Sequence, residues 1–93
     1  MNKLVVGVIP PGAQNGLEKH MEIWVIESGM EAELSTIKLT TTDDLTEGVN
    51  KNLDTLGNKV LGLLVPIKLL SSEQDAALEA LAKSRSIAFY RLH

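Results

Sequence analysis

Hydrophobic and polar positions along this chain fall into two alternating kinds of period. Residues 4–9, "LVVGVI", form a continuous apolar run rich in β-branched side chains, the pattern of a strand buried on both faces. Pro10-Pro11-Gly12 ends that run, because a proline has no N–H to donate to a central ladder. Ala13, Leu17, Met21, Trp24, Val25 and Ser28 then recur at helical spacing, with Asn15 placed to cap the start and Gly29 to supply a left-handed stop. "EIWVIES" also suits a strand, since Ile, Trp and Val favour one. The sustained stripe, punctuated at both ends, predicts a helix instead.

Residues 31–41 alternate, with Ala32, Leu34 and Thr36 on one side and Ile37 and Leu39 out of strict phase, as in a half-exposed edge strand. Thr42-Asp43-Asp44 opens a second helix with a cap and acids suited to the positive end of its dipole. Leu45, Val49, Leu53 and Leu56 are its stripe, Gly57 its end, and Gly48 an interior cost of about 1 kcal/mol that packing must offset. Residues 60–67 make a second fully apolar strand. "SSEQDAALEALAK" follows as a helix with a Ser71/Gln74 capping box, acids leading and Lys83 and Arg85 trailing. Residues 86–92 form a last short strand.

The resulting order, βαβαβαβ, predicts an α/β fold: one domain over residues 1–93, with a small, mostly parallel four-stranded sheet and helices on both faces. The two fully apolar strands belong at the centre and the mixed ones at the edges. With right-handed crossovers this gives the spatial order 2-1-3-4. The alternative is an open-faced α+β sandwich in which residues 32–42 bend into a hairpin, for which "TTTDD" is a poor two-residue turn.

Composition narrows the chemistry. Ninety-three residues leave room for one modest core. With no cysteine, disulfides, thiolate metal sites and thiol nucleophiles are excluded. That absence suits a reducing compartment, and a cytoplasmic protein is expected. The net charge of −3, the scattered nine Lys and Arg and three aromatics (Trp24, Phe89, Tyr90) argue against nucleic-acid binding. The apolar run at residues 60–67 is too short to span a bilayer, so no membrane partner is expected.

In doubly wound sheets a ligand sits beyond the carboxyl ends of the strands, where the strand order reverses. Here that edge gathers residues 10–16, 40–44 and 66–72. The expected ligand-binding residues are therefore Gly12, Gln14, Asn15, Gly16, Thr41, Thr42, Lys68 and Ser71, with Arg91 at the same edge. Three helix N-termini would add unpaired N–H groups, so a small anionic ligand is the expected partner. Ser, Thr, Asp and Asn are also ordinary helix caps, and both readings stand open. "PPGAQNG" matches neither G-x-x-x-x-G-K-[ST] nor G-x-G-x-x-G. His20 and His93, the only histidines, are not placed together by any spacing. No catalytic residue, metal or cofactor is expected.

"NGL" at 15–17, "TLG" at 55–57 and "EQ" at 73–74 resemble short segments of the sugar-transport phosphocarrier HPr, in similar order. The resemblance implies an open-faced βαββαβα sandwich carrying phosphate on a histidine just after the N-G-L. That position is Glu18 here, and the arginine-proline pair that should follow is His20-Met21, so the phosphocarrier chemistry does not transfer.

Three functions follow as expectations. The first is a soluble, non-enzymatic regulatory or protein-interaction module, a homo-oligomer associating through Ile23, Trp24 and Ile26, since these exceed what one sheet face requires. The second is a binder or hydrolase of a nucleotide or phosphorylated metabolite. The third is a phage or mobile-element accessory protein that blocks a larger host partner.

Overall fold

The computed structural model describes residues 3–40 and 44–93. The expected site positions Thr41 and Thr42, and the acid Asp43, lie outside the described residues. Strands β1 (Leu4–Ile9), β2 (Glu33–Lys38), β3 (Val60–Pro66) and β4 (Ala88–Leu92) alternate with helices α1 (Leu17–Glu27), α2 (Leu45–Leu56) and α3 (Ser72–Ser84). All three strand pairings are parallel and the order is β2-β1-β3-β4, so the two apolar runs are central as their patterns require. β2 pairs with β1 over its whole length as one strand, so the hairpin of the sandwich alternative does not form. The sandwich implied by the phosphocarrier resemblance fails for the same reason.

Alternation along the strands divides the core between two faces. Val5 and Leu64 pack with Met21 and Val25 of α1, whereas Val6, Val8, Leu63 and Val65 pack with Val49, Leu53 and Leu78 of α2 and α3. One helix thus covers one face and two cover the other. Each fully buried leucine or valine contributes about 1.5–3 kcal/mol relative to exposure. The double cover also explains the mixed phase of β2. Leu34 faces α1, while Ile37 and Leu39 join the cluster under α2, so neither side of this edge strand faces only water. Gly48 has its reason in the same place: a Cβ there would lie 2.7 Å from Cδ2 of Leu39.

One local expectation needs correction, and two gain partners. Asn15 does not cap α1. The N-cap is Gly16, at φ 102° and ψ −12°, with no side-chain cap bond, because Gln14-Asn15-Gly16-Leu17 is spent on a turn that demands a left-handed third residue. Arg85 trails α3 as its C-cap, and its side chain crosses to α2. Its Nη2 donates to the backbone O of Asn50 at 3.2 Å, to Asn50 Oδ1 at 2.6 Å and to Asp54. Arg91 lies at the carboxyl edge, opposite Val65 of β3, and its side chain turns onto α3 to pair with Asp75 at 2.9 Å and Glu79 at 3.2 Å. Hydrogen bonding to Asp75 holds its pKa above the ordinary arginine value, against a smaller opposing effect of burial. The other punctuation stands. Gly29 and Gly57 adopt φ 75° and 63° at helix ends, Asp44 caps α2 by accepting from Glu47 N, and the Ser71/Gln74 capping box closes on α3.

Candidate functional site

Two consecutive turns build the loop that follows β1. Ala13 N donates to Pro10 O and Leu17 N to Gln14 O, each at 3.3 Å, and the third residue of each turn is a glycine at positive φ, 78° at Gly12 and 102° at Gly16. Proline at the second position of the first turn and Asn-Gly in the second supply this chemistry from the sequence. At neither glycine would a Cβ meet another atom within 4 Å, so both are required for backbone angle and not for close packing. The loop is left standing over the carboxyl ends of β1 and β3.

A hollow of about 500 Å³ opens against this loop, walled by residues 12 and 14–16, by Leu17 and His20 of α1, and by Leu69 from the 3-10 turn after β3. A second hollow of about 180 Å³ shares Leu17, His20 and Leu69 and continues over Pro66, Lys68, Leu92 and His93. The two adjoin at the point where strand order reverses, the position at which doubly wound sheets take ligands. Leucine side chains and polar groups together form their walls and rim, a mixture common to small-molecule sites.

The polar groups of this rim are free. Among the described residues, the side chains of Gln14, Asn15, His20, Lys68 and His93 make no hydrogen bond or ion pair. On the β2 side of the loop Glu18 meets Lys38 at 3.5 Å. Among the described residues no group of three or more His, Asp or Glu stands where a metal would be held, although the two imidazoles share a wall.

Of the residues expected from sequence, Gly12, Gln14, Asn15 and Gly16 wall the larger hollow and Lys68 the smaller. Ser71 walls neither. Its hydroxyl accepts from Gln74 N at 3.1 Å while its own N–H donates to Gln74 Oε1 at 2.9 Å. The residues that sequence reasoning missed are His20, Leu69 and His93. No local pattern marks them, because α1, the turn after β3 and the end of β4 meet only once the sheet is assembled. The expected interface trio also separates. Trp24 is half-buried with its ring centroid 5.2 Å from that of Tyr90, whereas Ile23 and Ile26 are 45% and 76% exposed on the outer side of α1.

Among the described residues no helix is long and apolar enough to cross a membrane. Comparison with protein-family models, with curated proteins and with solved structures gives no match to this chain.

Proposed function

We propose that this chain is a non-enzymatic regulatory module that takes up a small anionic ligand, of the nucleotide or phosphorylated-metabolite class, at the carboxyl edge of its sheet. The observation that carries the reading is the convergence of unpartnered groups. Two carboxamides, two imidazoles and a lysine, drawn from separate segments, border adjoining hollows at the switch point. The chain carries no cysteine, which suits a reducing compartment, and we place the module in the cytoplasm.

A thermal-shift panel of nucleotides and sugar phosphates tests this. A ligand present at 100 times its dissociation constant stabilises the native state by about 2.7 kcal/mol. For a chain of this size each kcal/mol moves the midpoint by roughly 4–8 °C. A rise of that order with at least one phosphorylated ligand is expected, and no rise across millimolar concentrations removes the reading.

A second reading, self-association through α1, has its own observation. Ile23 and Ile26 lie one turn apart on the outward surface of the helix, and both are exposed. Light scattering at micromolar concentration should then report a dimer that Ile26→Glu converts to monomer. A monomeric parent chain overturns it.

A further inference from the structure

Resting on the binding reading above, we infer that the ligand is a nucleoside monophosphate, with its base in the larger hollow and its phosphate in the smaller one. Charge divides the depression in this way. Lys68, His20 and His93 border the smaller hollow, while the larger one has no lysine or arginine in its wall and shares only His20. Glu18 lies beyond the far end of the loop, beside Lys38, so a negative group is favoured at the Lys68 end. A phosphate there would take a point charge from Lys68 and N–H donors from the two imidazoles.

The larger hollow calls for a flat, apolar body with a hydrogen-bonding edge. Leu69 is 49% exposed, and Leu17 forms part of the shared wall. A planar ring laid against both would remove apolar surface from water. Gln14 and Asn15 each carry a carboxamide offering one acceptor and two donor hydrogens, which complements the donor and acceptor edge of a heterocyclic base. Leu17, His20 and Leu69 border both hollows, so a single molecule reaching from one to the other would lie across these three side chains. The larger hollow, about 500 Å³, lies within the range of small-molecule pockets, and the smaller, about 180 Å³, falls below that range.

The test is a set of amide ¹H–¹⁵N titrations of the whole chain. The ligands are the four common nucleoside monophosphates, their nucleosides, ribose 5-phosphate and inorganic phosphate. At least one monophosphate should shift the amides of residues 12–17 and of 67–69 together. Its nucleoside should shift only the first group, and phosphate only the second, each with affinity at least about tenfold weaker. Lys68→Ala should weaken the monophosphate and inorganic phosphate about tenfold and leave the nucleoside unchanged, and Asn15→Ala should weaken the monophosphate and the nucleoside and leave inorganic phosphate unchanged. Both side chains are exposed and unpartnered, so the unliganded spectra of the variants should overlay on the parent's. If ribose 5-phosphate binds as tightly as every monophosphate, the base assignment is wrong while the anion site stands. If nucleoside and monophosphate bind equally, the phosphate assignment is wrong. If none of the ligands binds, this inference falls with the reading beneath it, and a thermal shift by some other phosphorylated compound would show that only the ligand class was mistaken.

Discussion

At the amino edge of the sheet, Arg85 donates to the carbonyl and side chain of Asn50 and to Asp54, so its hydrogen-bonding capacity is largely consumed within the fold. At the carboxyl edge, Lys68 and His20 border a depression without a partner among the described residues. Both edges hold a hollow: about 340 Å³ beside Arg85, Asp54 and Asn58, and about 500 Å³ beside the loop after β1. Size therefore does not separate them. What does is the state of the polar groups. An arginine tied to a neighbouring helix must break those bonds before it can meet a ligand, whereas a free lysine and free carboxamides exchange only water. The difference separates a cation that ties the fold together from cations available for recognition.

The most severe way to test this contrast is to damage the sheet that both edges share. Leu64 is completely buried in β3 and packs with Met21, Val25 and Leu92 on the α1 side. Leu64→Ala should cost about 2–5 kcal/mol from lost transfer energy and the cavity left behind. Urea unfolding would show this as a lower midpoint at unchanged slope. Because Leu92 also walls the smaller hollow, ligand affinity should fall as well. A cost below about 1 kcal/mol would mean that the core is not organised as described.

Arg85→Ala comes next and should act on one edge only. The side chain is 26% exposed, and its three bonds to Asn50 matter more than the pairing with Asp54, whose carboxylate is 67% exposed and screened by solvent. Losing them should cost about 1–3 kcal/mol, with ligand binding unchanged once the protein is folded. Arg85→Lys should recover little, since an ammonium cannot reproduce the fork that reaches Asn50 Oδ1 and O together. If Arg85→Ala weakens the ligand as much as it weakens the fold, the proposed division between the edges is wrong.

Much of this division is legible in the sequence, and the parts that are not share a cause. Strand order follows from which runs are wholly apolar, since a strand such as Leu4–Ile9 can satisfy two buried faces only at the centre. The loop at residues 10–16 follows from proline and glycine chemistry, although Asn15 is not the cap its position suggests: Asn-Gly specifies a turn as readily as a cap, and the turn prevails. The partners of Arg85 and Arg91 are hidden from the sequence because a long flexible cation finds its partner through tertiary packing, on another element. His20 and His93 are separated by most of the chain and come together only at the sheet's edge.

Ser71 lies between these cases and offers a smaller, sharper test. Its capping box satisfies two backbone groups at the start of α3, so Ser71→Ala should cost about 1 kcal/mol. Sequence alone allows it to be a ligand contact, a cap, or both. In the structure it walls neither hollow, and its hydroxyl already accepts a bond. Thermal unfolding and ligand titration on the same variant separate the roles. Lower stability with unchanged affinity is expected, and a parallel loss of affinity would return Ser71 to the site.

The smallest expected effect on stability belongs to Lys68→Ala, and for that reason it bears most directly on the comparison. Lys68 is exposed on the 3-10 turn Ile67–Leu69 and has no partner among the described residues, so its removal should change stability by no more than about 0.5 kcal/mol. Evolutionary indifference is the simplest account of such a lysine, and on that account its loss changes nothing else. If the depression binds a phosphorylated ligand, the same substitution removes the lysine charge beside the smaller hollow, and affinity falls while the fold does not notice. Arg85 and Lys68 should therefore exchange roles between two measurements: the first dominates unfolding and is silent in binding, the second is silent in unfolding and dominates binding. Salt provides the final check, because an exposed cation acting on an anion is screened within about 8–10 Å at physiological ionic strength. Raising the salt should weaken the parent toward the Lys68→Ala variant and leave that variant nearly unchanged. Equal salt dependence in the two would assign the lysine to solvent alone.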